Sequence, residues 1–342
     1  MFRLVRLFTL PLVIACALTL VDFRVKGQLK TARANRASSS EALPGPAPAT
    51  ALVTSRKPDG LILSTGNLYF TTHDNAGATV WRTSQGAVPG QEGVLYWEAG
   101  ARFGDIVFAL VNGTFFGYFF AEKAGVITIK RVPLSGGNAT VLATVTNVDV
   151  ANSHRNLITD GVNLYWQDVS SVRKMPIGGG PATVLDNASP NTPTAGLALQ
   201  NNRIIYASVN DIRFVPTAGA ITSPSVRTIV TASSRVTALH AVLSFVYWGE
   251  QSGAVRVISG SSLVTVQPSI GLVPTSITTS TRGGVFAQAW TLCGSQSCRL
   301  HFDIPTGENS LTTIGADALG VTVTPSGVVF WGDAAGIHRH SS

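Results

Sequence analysis

From about residue 50 onward, hydrophobic and polar positions alternate in runs of four to eight residues. The runs are punctuated by Gly, Pro, Asn, Asp and Ser. A period of two predicts half-buried β-strands rather than amphipathic helices. Residues 157–186 show the unit most clearly. Leu157-Ile158-Thr159 reads as a strand A, and Asp160-Gly161 as a hairpin turn. Residues 163–167 then read as strand B, 172–177 as strand C, Gly178-Gly179-Gly180 as a turn, and 182–185 as strand D. Pro176 falls late in strand C, where a missing N–H is tolerated at a strand end.

The unit recurs. An aromatic step closes an apolar run at Tyr69-Phe70, Tyr118-Phe119, Tyr165-Trp166, Tyr206-Ala207, Tyr247-Trp248, Phe286-Ala287 and Phe330-Trp331, spaced 49, 47, 41, 41, 39 and 44 residues apart. A second anchor follows most of them: Val132-Pro133-Leu134-Ser135-Gly136-Gly137, Met175-Pro176-Ile177-Gly178-Gly179-Gly180, Val215-Pro216-Thr217-Ala218-Gly219 and, more loosely, Ile304-Pro305-Thr306-Gly307. Four short strands per repeat of this length predict an all-β β-propeller. The count reads as seven blades. Six also fits, because strand D of the first unit, near 93–97, is poorly marked.

The two ends of the array complement each other. The seventh unit has strands at 320–324, 328–331 and 337–340, and no fourth. Residues 49–54 form an orphan strand resembling the D strand at 139–144. The N-terminal strand is therefore expected to complete the last blade and close the ring.

The B-strand ends Tyr165-Trp166-Gln167-Asp168, Tyr247-Trp248-Gly249-Glu250 and Phe330-Trp331-Gly332-Asp333 resemble the Tyr-Trp-Thr-Asp repeats of low-density-lipoprotein-receptor-type propellers. With the Val-Pro-Leu-x-Gly-Gly turns, they are similar to exported bacterial propellers built of such repeats. Tyr206-Ala207-Ser208-Val209 and Phe286-Ala287-Gln288-Ala289 depart from the pattern, lacking both Trp and acid. The resemblance implies six blades. It also implies that Asp168, Glu250 and Asp333 tie neighbouring blades together and take no part in catalysis.

Composition agrees with strands and turns: 34 Gly, only 2 Met and 13% charged residues. The net charge of +7 resides in the first 37 residues, with seven basic side chains against one acidic; residues 38–342 hold 18 basic and 17 acidic. A phosphate-binding surface needs clustered cations on the folded domain, so nucleic acid is excluded as a partner.

Residues 1–23 read as a signal peptide or lipoprotein anchor: Arg3 and Arg6 precede an uncharged run from 7 to 21. Val13-Ile14-Ala15-Cys16 resembles a lipobox in which Cys16 is lipidated, Ala15-Cys16-Ala17 also fits ordinary cleavage, and an uncleaved anchor is a third outcome. Residues 24–48 form a polar, then Pro-rich, tether. The propeller domain, 49–342, is expected outside the cytoplasm as a monomer, touching membrane only through its N-terminal segment. Cys293 and Cys298 are expected to form a disulfide across a hairpin.

Loops before strand A and after strand B hold the candidates for chemistry or binding: His73, Asp74, Glu122, His154, Arg155, Asp168, Asp211, His240, Glu250, Trp290 and Asp333. The expected function is a non-enzymatic module that binds a protein, peptide or glycan of the cell envelope without a cofactor. Its ligand face would carry His73, Asp74, Arg155, Asp168, Glu250, Asp333 and an exposed loop aromatic, Trp290. The alternative is a lyase or lactonase-type enzyme with a divalent metal ion held at the channel mouth by His154 and His240, which would then be both metal ligands and catalytic groups. An envelope scaffold without a small ligand is a third reading.

Overall fold

The computed structural model describes residues 49–150, 156–187, 195–218, 227–282, 285–295, 297–303, 309–315, 317–318, 320–324 and 326–340. It contains seven four-stranded antiparallel sheets. Blade 1 is β2 (Gly60–Ser64), β3 (Asn67–His73), β4 (Gly77–Ser84) and β5 (Gly93–Ala99). Blade 2 is β6 (Ala101–Val111), β7 (Thr114–Lys123), β8 (Val126–Pro133) and β9 (Thr140–Val145). Blade 3 is β10 (Leu157–Thr159), β11 (Asn163–Gln167), β12 (Val172–Pro176) and β13 (Thr183–Asp186). Blade 4 is β14 (Leu197–Gln200), β15 (Arg203–Ser208), β16 (Asp211–Pro216) and β17 (Arg227–Thr231). Blade 5 is β18 (Val236–Val242), β19 (Phe245–Glu250), β20 (Val255–Ser259) and β21 (Ser262–Gln267). Blade 6 is β22 (Val273–Arg282), β23 (Val285–Cys293), β24 (Cys298–Asp303) and β25 (Asn309–Ile314). Blade 7 is β26 (Gly320–Val323), β27 (Val329–Asp333) and β28 (Gly336–His340), completed by β1 (Thr50–Thr54).

Each A strand abuts the next, and the seventh abuts the first, so the sheets close into a ring. The closing strand β1 pairs antiparallel with β28, Thr50 opposite Arg339 and Thr54 opposite Gly336. Both ends of the chain thus contribute to one blade, as the orphan strand predicted. The count is the seven that the repeats predicted, not the six that the receptor-type resemblance implied.

Seven hydrophobic clusters hold the ring, one at each junction between neighbouring blades. The repeated aromatic step follows from this. Adjacent residues of a strand point to opposite faces, so a B strand that carries an aromatic pair sends one ring to either side. Tyr165 joins the cluster toward blade 4 and Trp166 the one toward blade 2. Tyr247 and Trp248 divide in the same way between blades 6 and 4. A buried aromatic side chain removes 150–250 Å² from water, roughly 2–3 kcal/mol each.

The Pro-containing anchors also have a register explanation. Pro133, Pro176 and Pro216 pair with Phe116, Asn163 and Arg203, the early residues of the B strands. The last C–D pairs, Arg131 with Thr140, Lys174 with Thr183 and Phe214 with Arg227, lie two residues earlier. A donor at the Pro position would therefore face a D strand that has already ended. The following residues donate back to the A–B hairpins: Leu134 N to Phe115 O at 3.0 Å, Ile177 N to Val162 O at 2.9 Å and Thr217 N to Asn202 O at 2.9 Å. Ile304-Pro305-Thr306-Gly307 lies outside the described residues.

Six outer strands carry a β-bulge, which leaves Leu52, Leu95, Leu142, Leu185, Ile229 or Val266 as the unpaired residue. The bulge bends the outer strand and blunts its free edge. Cys293 and Cys298 are joined by a disulfide across the end of the β23–β24 hairpin. Ala318, on the crossover into blade 7, donates its N–H to Cys298 Sγ at 3.4 Å.

Candidate functional site

In every blade one B-strand aromatic faces the preceding blade and pairs across to one C-strand residue. The pairs are Phe70 with Trp81, Phe119 with Lys130, Trp166 with Arg173, Tyr206 with Arg213, Trp248 with Arg256, Trp290 with His301 and Trp331 with His338. Six of the seven partners are Lys, Arg or His. In blade 1 the partner is Trp81, and Arg56 supplies the cation, its guanidinium carbon 3.8 Å from the Trp81 ring centroid. His301 and His338 stack on their tryptophans at 4.2 and 5.3 Å.

Carboxylates meet five of these basic side chains. Glu98 meets Lys130 at 2.5 Å, Asp168 meets Arg173 at 2.5 Å, Asp211 meets Arg213 at 3.1 Å, Glu250 meets Arg256 at 2.9 Å and Asp333 meets His338 at 3.0 Å. Asp168, Glu250 and Asp333 are buried. The Asp168 carboxylate accepts from Ser170 N and from the hydroxyls of Ser170 and Ser171. Among the described residues these bonds lie within its own blade. Glu250 and Asp333 do reach a crossover from the preceding blade, at Ser233 and at the N–H of Gly315. Asp74 is exposed and accepts from the N–H groups of Ala76 and Gly77.

Burial alone would raise the Asp168 carboxyl. The Ser170 amide, Arg173 and the serine hydroxyls outweigh it and hold the group below the usual carboxylate range. Asp333 is likewise lowered, its burial outweighed by His338 and by the amides of Ala335 and Gly315. A carboxyl depressed in the folded state adds stability above its unfolded pKa of about 4 and loses it as pH falls through the folded value. We expect the thermal midpoint to drop steeply as pH falls below about 4. Asp168→Asn and Asp333→Asn should each lower the neutral-pH midpoint and flatten that slope. A profile identical to wild type in both variants would contradict this account.

Trp290, expected on an exposed loop, lies inside β23 and is fully buried. It is blade 6's member of the aromatic series, four residues beyond the Phe286 step that the sequence pattern picked out. Counted through Trp290, the seven aromatics are spaced 49, 47, 40, 42, 42 and 41 residues apart, more evenly than the steps first aligned. Its pairing partner His301 follows eleven residues later, the spacing of Phe119 and Lys130, and that was the available signal.

His240 lies within strand A of blade 5 rather than before it, and its Nε2 is 2.8 Å from Thr279 Oγ1 on the next A strand. Its proposed partner His154 lies outside the described residues, as do Arg155 and Cys16. Among the described residues no group of three His, Cys, Asp or Glu side chains could hold a metal ion. His73 closes β3, and its Nδ1 is 2.6 Å from Asp59 Oδ2 on the crossover into blade 1. Burial raises the Asp59 carboxyl, and His73, Arg102 and Lys57 offset only part of that rise. Sequence reasoning missed this pair, because the two residues are fourteen apart and neither stands in a repeat position.

The fold is that of a seven-bladed propeller. No known protein-family profile matches the chain, and no curated relative is similar to it in sequence. Among solved structures, YCF48 bound to D1 peptide superposes with a TM-score of 0.59 at 9% identity, covering 88% of this chain and 100% of that one. The WD40 propeller domain of Doa1 gives 0.52 at 11% identity, over 85% and 96% of the two chains. The computationally designed Ika8 protein gives 0.51 at 16% identity, over 86% and 100%. At these identities the likeness is one of fold.

Proposed function

We propose that this chain is an exported, non-enzymatic interaction module that binds a protein or peptide of the cell envelope. One observation carries the reading. The tips of the A–B hairpins, all at one end of the ring, expose apolar side chains: Leu110 and Phe115 in blade 2, Val162 in blade 3 and Leu243 in blade 5, between 42% and 68% exposed. Single exposed apolar residues are ordinary. Recurrence at equivalent hairpin tips is the arrangement of a contact surface.

The tips are rigid. Asn112-Gly113 turns with positive φ at both residues, 49° and 81°, and the carbonyls of Phe115 and Val162 accept from the amides of Leu134 and Ile177, just past the C strands. The buried acids, by contrast, are engaged in turns and ion pairs. Export is supported by the basic and apolar start of the sequence and by the disulfide, which persists in oxidising compartments. YCF48 bound to D1 peptide is a precedent for peptide capture by a ring of this size.

The test is capture from a cell-envelope extract by wild type and by a Leu110→Asp, Phe115→Asp double variant. We expect retained partner to fall about tenfold with the thermal midpoint unchanged. Equal capture by both proteins would remove the proposed surface, and recovery of the native chain from the cytosol with free thiols at Cys293 and Cys298 would remove the proposed address.

A further inference from the structure

A second surface lies at the outer junction of blades 7 and 1, away from the hairpin tips. Phe70 faces blade 7 and packs with Phe330, Leu52 and Ile337. Register carries that face outward across blade 1. Trp81 pairs with Phe70 and with Val94, while Thr79 pairs with Thr72 and with Trp97. Trp81 also donates its Nε1–H to Thr72 Oγ1 at 2.9 Å, which places it on the same side. The row passes from buried Phe70 through half-buried Trp81 to Val94 and Trp97, 56% and 53% exposed. Of six tryptophans, four are buried and one is half-buried; Trp97 alone is exposed.

Blade 7 supplies the opposite wall. Phe330 faces blade 1, and Arg339 pairs with Phe330 and Thr50, so it shares that face. Arg56 descends from the crossover onto the Trp81 ring. The C-strand basic side chains of blades 2, 3, 4, 5 and 7 each meet a carboxylate. Arg56 and Arg339 have no carboxylate partner among the described residues, and the Nε of Arg339 is buried without a hydrogen-bond partner. The wall is therefore aromatic and aliphatic, with two guanidinium groups in excess. Guanidinium forks bind carboxylates in bidentate fashion, and an exposed indole face takes an apolar side chain.

We propose that this groove binds an extended peptide in which Asp or Glu flanks a large apolar residue. The carboxylates would meet Arg56 and Arg339, and the apolar side chain would lie on Trp97 and Val94. The strand-length wall along β5 suits an extended ligand rather than a helix. Neither this groove nor the hairpin-tip surface depends on the other.

The test is selection of a displayed random peptide library on the immobilised full chain. We expect enriched peptides to combine acidic residues with Leu, Phe or Trp. Their binding should weaken about tenfold in Trp97→Ala and in Arg56→Gln, fall with added salt, and stay unchanged in the Leu110→Asp, Phe115→Asp variant. Trp97 is exposed, so its replacement should leave the thermal midpoint intact; should it not, Val94→Asp is the second probe of the same wall. Enrichment of basic or uncharged peptides, or binding that survives both Trp97→Ala and Val94→Asp, would overturn the proposal, as would the absence of any enrichment.

Discussion

Replacing Leu52 and Val53 together by aspartate will open the ring. Both residues are buried in β1, at 1% and 0% exposure, and pack with Phe330, Ile337, Leu68 and Phe70 from the two blades that meet there. Leu52 is the bulged residue of the closing strand. Two unpaired charges in that apolar cluster cannot be solvated without detaching the strand. Detachment leaves blade 7 with three strands and an open β28 edge. We expect a loss of at least about 4–5 kcal/mol, the range reserved for burying unpaired charge or breaking a core. We also expect self-association through the exposed edge. Urea unfolding and sedimentation velocity measure the two effects. Thr54→Asp, on the exposed end of the same strand, is the control and should shift stability by under about 0.5 kcal/mol. A wild-type midpoint in the double variant would mean that β1 does not close the ring.

The second large effect concerns the glycine in Trp-Gly-acid. A Cβ on Gly332 would lie 2.2 Å from Pro58 Cγ, and one on Gly249 would lie 2.3 Å from Pro274 Cβ. In both places a proline at the entry to the following blade seats against the bare Cα. Glycine is needed here for space, since neither position has positive φ. Gly332→Ala should therefore cost about 1–3 kcal/mol through overpacking. Pro58→Ala should recover most of that loss, because it removes Cγ and Cδ and the nearest atom left, Pro58 Cβ, stands 3.5 Å away. A double-mutant cycle in urea reads the coupling. Purely additive losses would show that the contact does not set the constraint. Blade 3 has Gln167 at this position, and its Nε2 instead reaches Ala207 O of the next blade at 3.2 Å.

Blade 3 was legible almost residue for residue, because its strands are short, its turns carry Asp-Gly and triple Gly, and its Pro marks the end of strand C. Ring closure was legible for the same reason: the missing strand at one end and the surplus strand at the other are both local patterns. Blade 6 was misread. Its long strands β22 and β23 place Phe286 ahead of the true repeat aromatic, and an apolar run with no turn inside it offers no cue to register. The candidate site was less legible still. Asp168, Glu250 and Asp333 stand where a ligand-binding acid would stand, and only the partners around them show that they hold turns and pair with C-strand Arg or His. Trp97 carried no signal, since an aromatic in an outer strand reads the same whether covered or bare.

The order of strands, the position of most turns and the pairing of the two chain ends were written in period-two alternation and in the placement of Gly and Pro. These depend on neighbours within a few residues, where backbone geometry alone decides. Which of two adjacent aromatics faces which blade and which tryptophan stays in water were decided only by packing. Contacts between neighbouring blades join residues some forty positions apart, and at the ring closure 260 positions separate Lys57 from Asp317, so no local pattern specifies them.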